Sequence, residues 1–148
     1  IAYAPKSELG DISRGAYVLA EPEAVGLKSK KTAAVIIATG SEVQLALAAQ
    51  KLLAEKKIAV RVVSMPSVNR FLAQPRAWRE ELLGSGPRVS IEAGSTLPWH
   101  GVIGSDALCI GIDTFGASAP INDLAQRFQF TPELITTRIL NWIEDDDY

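Results

Sequence analysis

Residues 33–64 read AAVIIATGSEVQLALAAQKLLAEKKIAVRVVS, and the alternation within this stretch decides the fold. It opens on Ala33-Ala34-Val35-Ile36-Ile37-Ala38, a short apolar run rich in β-branched residues, which reads as a buried strand. It closes on a second such run, Ile58 to Val63. Between them, from Glu42 to Lys56, Gln44, Ala48, Lys51 and Glu55 recur at spacings of four, three and four, which marks the wet face of a helix. Val43, Ala46, Leu47, Leu52 and Leu53 fall on its remaining surface and need a sheet to cover them. Strand, helix and strand make one βαβ unit, whose crossover should be right-handed.

The pattern extends downstream. Val89-Ser90-Ile91 and the run from Ala107 to Ile112 read as third and fourth strands. A helix is expected near Ala77 to Leu83, between strands two and three, and another near Ile121 to Phe128. Thr131-Pro132-Glu133 supplies an N-cap hydroxyl, a proline at the first helical position and an early carboxylate. A final helix should therefore run to about Trp142, with Glu144 to Tyr148 fraying. Upstream, Gly15 to Ala20 reads as an extra edge strand and Glu21 to Thr32 as a polar connector. Residues 1–32 are thus a lead-in and 33–148 the domain itself. The expected architecture is a single three-layer α/β domain, a mostly parallel, mixed sheet with helices on both faces.

Composition narrows the function classes. The 148 residues, 47% of them hydrophobic, suit one packed core. With 15 Lys+Arg against 17 Asp+Glu and a net charge of -2, the chain has no basic footprint for nucleic acid. No apolar run approaches the roughly 20 residues that cross a bilayer. The single cysteine, Cys109, cannot form an internal disulfide, and no secretory leader pattern opens the sequence, so a reducing, cytoplasmic setting is expected. Ile1 to Asp11 carry neither a start methionine nor a periodic pattern, which suggests a chain cut from something longer.

Ligands of open α/β sheets bind beyond the carboxyl ends of the strands. The residues there are Thr39-Gly40-Ser41, Ser64-Met65-Pro66-Ser67, Glu92-Ala93-Gly94 and Asp113-Thr114-Phe115-Gly116. Gly40, Ser41 and Glu42 are candidates for an anion or metabolite contact, because a glycine turn followed by a helix start exposes amides to a negative group. Equally, Gly40 is a good turn residue and Ser41 a good N-cap without any ligand. No Gly-Lys-Ser/Thr follows and two of three dinucleotide-fingerprint glycines are missing, which disfavours a nucleotide cofactor. Glu92 and Asp113 are a candidate acid–base pair, or simply caps of neighbouring turns. His100 is the only histidine and Cys109 lies in a predicted strand, so no nucleophilic triad or zinc set can be assembled. Trp78, Trp99 and Trp142, with Phe115, Phe128 and Phe130, suit either a partner patch or the core.

Four segments together resemble one family: Ala38-Thr39-Gly40-Ser41-Glu42-Val43, Arg61-Val62-Val63-Ser64-Met65-Pro66-Ser67, Glu92-Ala93-Gly94 and Thr114-Phe115-Gly116-Ala117-Ser118-Ala119-Pro120. In this order they resemble the Rossmann-like C-terminal domain of transketolases, as does the lead-in Ile12 to Leu19. The Thr-Gly-Ser-Glu-Val loop alone is shared with deoxyxylulose phosphate synthase and the pyruvate dehydrogenase β subunit. The resemblance implies a thiamine diphosphate enzyme, with Mg or Ca holding the diphosphate, that moves a two-carbon ketol unit between sugar phosphates. It also implies that the chemistry belongs to two preceding domains. The diphosphate motif, the activating glutamate and the substrate-binding histidines and arginines have no counterpart here, so no catalytic, cofactor or metal residue is assigned. The implied role is assembly with those domains and within a homodimer. The alternatives are a regulatory module binding a phosphorylated metabolite at Gly40 to Glu42, or the C-terminal domain of a related thiamine diphosphate enzyme of the deoxyxylulose phosphate synthase or pyruvate dehydrogenase β type.

Overall fold

The computed structural model describes residues 12–22, 32–92, 97–111 and 131–146. Five strands form one sheet: β1 (Tyr17–Ala20), β2 (Ala34–Ala38), β3 (Val60–Ser64), β4 (Arg88–Glu92) and β5 (Leu108–Gly111), in spatial order β1-β3-β2-β4-β5. The three pairings among β3, β2, β4 and β5 are parallel, and β1 joins β3 antiparallel at one edge. The sheet is therefore mixed, and the expected edge strand is real.

Alternation along the strands feeds two cores. Ala34, Ile36, Ala38, Val60, Val62, Val89 and Ile91 face helix α1 (Val43–Glu55) and helix α5 (Pro132–Asp146), and meet Ala46, Ala49, Leu53, Ile135 and Ile139. Val35, Ile37 and Val63 face the other way. There they meet Phe71 of α2 (Val68–Leu72), Trp78, Leu82 and Leu83 of α3 (Arg76–Leu83), and Trp99 and Ile103 of α4 (Leu97–Ile103). The crossovers from β2 to β3 and from β3 to β4 run in opposite directions along the sheet and lie on opposite faces, as a common hand requires.

Several expectations need adjustment. Thr131 does cap the last helix, its hydroxyl accepting from the Leu134 amide at 3.2 Å. But α5 continues to Asp146 instead of fraying from Glu144, because Trp142 and Ile143 pack on the core and hold the last turn. Ser41 is not the N-cap of α1: it lies inside a 3-10 turn, Gly40–Glu42, and Glu42 occupies the cap position. Helices α2 and α4 were not expected. Helix α2 starts where the Ser67 hydroxyl accepts from the Arg70 amide at 3.3 Å. The expected helix at 121–128, Asp113 to Gly116 and the segment at 117–120 lie outside the described residues, as do Ala93 and Gly94.

Two polar side chains fasten β1 and its connector. Gln50, buried on α1, donates from Nε2 to the carbonyls of Val60 at 2.9 Å, Glu21 at 3.2 Å and Ala20 at 3.3 Å. Arg61 pairs with Glu21 at 2.6 Å and donates to the carbonyls of Glu81 and Leu82, each at 3.1 Å, at the end of α3. Just before β1, Gly15 at φ +93° presses on α2. A Cβ there would lie 2.5 Å from the Phe71 nitrogen and from the Ser67 oxygen.

Candidate functional site

Strand β2 is the point where the chain's path along the sheet reverses, since β3 lies on one side of it and β4 on the other. In open α/β sheets a crevice forms at such a reversal, outside the carboxyl ends of the strands. Here that place holds a cavity of about 410 Å³. Thr39 follows β2, Met65, Pro66 and Val68 follow β3, Glu92 ends β4, and Trp99 and Val102 of α4 close the far wall.

Glu92 is the one ionisable group lining the cavity among the described residues. Its carboxylate accepts a hydrogen bond from the Trp99 indole N–H, which anchors α4 to the end of β4. Burial, with the Glu42 carboxylate adding to it, pushes the Glu92 carboxyl above its ordinary value. Of the residues Gly40, Ser41 and Glu42, Glu42 acts electrostatically on Glu92, with the same sign. The backbone of their turn is also engaged: the Glu42 amide donates to Thr39 O at 3.1 Å and the Val43 amide to Gly40 O.

Other candidate groups stand apart. Cys109 on β5 is half-buried and pairs in register with Ser90; burial raises its thiol above the ordinary value, and a hydrogen bond with Ser90 partly opposes this. Buried Nδ1 of His100 on α4 has no hydrogen-bond partner. Asp113 lies outside the described residues, so its pairing with Glu92 has no geometry. Trp78 and Trp99 are core residues, 6% and 3% exposed, and not a partner patch. Sequence reasoning placed Glu92 at the sheet's end but missed its bond to Trp99, because the two residues stand seven positions apart in the sequence and neither shows the other.

A larger cavity, about 460 Å³, lies at the opposite ends of β4 and β5, between the Ser85–Arg88 turn, the Ile103–Ala107 turn and Trp142. Its guanidinium, Arg88, is tied to the carbonyls of Gly84 at 2.8 Å and Ile103 at 3.1 Å. Ser85, Ser105 and Asp106 also line it.

Open mixed sheet, helices on both faces and a crevice beyond the strand ends define a Rossmann-like α/β domain. The family model "Transketolase-like TK C-terminal domain" matches residues 15–131, and the chain belongs to that family. It is 45% identical over 140 residues to the plasmid-encoded transketolase of Cupriavidus necator, covering 94% of this chain and 20% of that protein. It is 44% identical over 126 residues to the transketolase of Mycobacterium leprae, covering 84% of this chain and 18% of that one. The crystal structure of transketolase from Campylobacter jejuni superposes with a TM-score of 0.71 at 31% identity, covering 93% of this chain and 20% of that one. Transketolase from Leishmania mexicana gives 0.71 at 33% identity, covering 90% and 18%. The chain thus spans about a fifth of the length of the curated relatives it matches.

Proposed function

We propose that this domain is the third domain of a transketolase that transfers a two-carbon ketol unit between ketose and aldose phosphates in the pentose phosphate pathway. Its part is to support assembly with the preceding domains and within a homodimer in the cytoplasm. The observation that carries this reading is the family match from residue 15 to 131 on an open, mixed α/β sheet.

Thiamine diphosphate and its divalent metal, which the family implies for the whole enzyme, do not fit the described part of this domain. Glu42 and Glu92 would repel the diphosphate. Among the described residues, no three His, Cys, Asp or Glu side chains come together to hold the metal. No catalytic step is therefore assigned to these residues. No helix among the described residues is long and apolar enough to cross a membrane, which agrees with a cytoplasmic enzyme without requiring one.

The test is ketol transfer by the 148-residue chain supplied with thiamine diphosphate, Mg, a ketose phosphate donor and an aldose phosphate acceptor. No turnover is expected from the chain alone, and activity is expected once the preceding domains are joined to it. Turnover by the chain alone would overturn the assembly role.

A further inference from the structure

Away from the strand-end crevice, helix α3 carries charge on a face that also borders the core. Arg76, Arg79, Glu80 and Leu83 follow one another at spacings of three, one and three along it and so share one side of the helix. All four line a cavity of about 130 Å³, together with apolar Phe71 of α2, Val102 of α4 and Arg88 at the start of β4. Drug-sized ligands need roughly 300 Å³ or more. This cavity takes a small ion or the end of a longer molecule.

What the guanidiniums already hold decides what they can still take. Arg88 is engaged: it donates to the carbonyls of Gly84 and Ile103, at the ends of α3 and α4, and so ties the two helices together at one end of the cleft. Half-buried Arg79 donates from Nε to Gln74 O at 3.1 Å, and Arg76 donates from Nε to the Glu80 carboxylate at 3.0 Å. Neither arginine uses its Nη groups on another of the described residues. A guanidinium can only donate, and its planar fork fits the paired oxygens of a carboxylate or a phosphate. An acceptor is therefore selected by these donor atoms themselves, whatever else lines the cavity. The Glu80 carboxylate on Arg76 already shows an oxyanion reaching this place, and as an exposed pair four residues apart it is held weakly enough to yield.

We infer that the cleft between α3 and α4 is a binding site for a small oxyanion, a carboxylate or phosphate group held by Arg79 and Arg76. Glu80 is its internal competitor, exchanging places on Arg76 with the incoming anion. The site is independent of the assembly role and stands or falls with these arginines.

The test is titration of the 148-residue chain with sodium acetate and with inorganic phosphate, at mildly acid pH where guanidinium N–H exchange is slow, and at ionic strength held constant with sodium chloride. The Nε–H signals of Arg76 and Arg79 are followed by 1H–15N NMR and assigned by their loss in Arg76→Gln and Arg79→Gln. Acetamide serves as the neutral control of acetate's shape. Each anion should give a saturable shift that acetamide does not give over the same concentrations; tighter binding of acetate marks a carboxylate as the group the site prefers, and tighter binding of phosphate a phosphoryl group. Arg79→Gln, read at Arg76, should weaken binding by about fivefold, the loss of one partly screened ion pair. Glu80→Gln, which removes the competitor, should tighten it by about threefold. Arg70→Gln, on the exposed surface of α2 outside the cavity lining, should leave it unchanged. No saturable shift with either anion, equal binding of acetamide, unchanged affinity in Arg79→Gln, weaker binding in Glu80→Gln, or an equal loss in Arg70→Gln would each overturn the assignment.

Discussion

Gly15 and Gly40 both hold a left-handed backbone, at φ +93° and +55°, yet their surroundings are opposite. At Gly15 a Cβ would meet the Phe71 nitrogen and the Ser67 oxygen at 2.5 Å, while at Gly40 it would meet nothing within 4 Å. The first glycine lets two pieces of backbone touch, and the second lets a loop turn beside open space. The regions around them follow suit. The corner where β1 enters is fastened by Gln50, Arg61 and the Gly15 contact with α2. Beyond the carboxyl ends of β2 and β4, by contrast, lies an open crevice. A small residue with positive φ is therefore no sign of a ligand site until what surrounds it is known.

That contrast can be broken most forcefully at Gly15. Gly15→Ala must move backbone atoms, since the clash is with main chain and not with a flexible side-chain end, and should destabilise by roughly 3 kcal/mol or more. For a chain of this size the midpoint of thermal unfolding should fall by roughly 6 °C or more, read by calorimetry. A change of less than a degree would mean the corner is slack. Gln50→Ala comes next. It strands the carbonyls of Ala20, Glu21 and Val60 in a buried place and should cost about 1–3 kcal/mol in urea unfolding.

On the open side the effects should be smaller. Gly40→Ala meets only the conformational penalty of a left-handed alanine, about 1 kcal/mol. If it costs as much as Gly15→Ala, the two regions are not different in kind. Glu92→Gln sharpens the comparison by charge. The folded-state value of Glu92 is raised, so the carboxyl favours folding when protonated; that contribution is present below its ordinary value of 4.5 and is lost as pH rises through the folded value. Glu92→Gln should therefore match or exceed the parent's stability at neutral pH, by less than about 1 kcal/mol because the group is largely solvated, and flatten the pH dependence above 4.5. A steeper loss on mutation at neutral pH would show that the ionised carboxylate strengthens the Trp99 bond more than burial weakens it.

The inner strands were legible because short apolar β-branched runs bounded by turn residues have few uses other than buried strands. The first helix was legible because Gln44, Lys51 and Glu55 keep a strict helical spacing, and all three are exposed. Gln50 was not legible: by residue type it belongs with the wet positions, yet it is 2% exposed, and only the carbonyls at the ends of β1 and β3 explain it. Helices α2 and α4 span five and seven residues, too short for a periodic signal, and α4 also contains Pro98 and Gly101. Of the crevice, the strand-end positions Thr39, Met65, Pro66 and Glu92 followed from the rule for open sheets. Trp99 and Val102 did not, since they come from the unforeseen α4. Ser41 misled as a cap because a 3-10 turn carries the chain one residue further before α1 begins.

The antiparallel seating of β1 has a consequence for biosynthesis. Tyr17 pairs with Ser64 and Val18 with Val63, while β3 itself is completed on its other side by β2. A ribosome delivers β1 first, but its partner strand emerges only after the connector, β2 and α1 have been made. Until then the apolar side chains of Val18 and Leu19 have no sheet to join, and they stay available to chaperones or to neighbouring nascent chains. The strand that comes first in the sequence is thus among the later pieces to be set in place, and it closes the sheet's edge behind the elements that follow it.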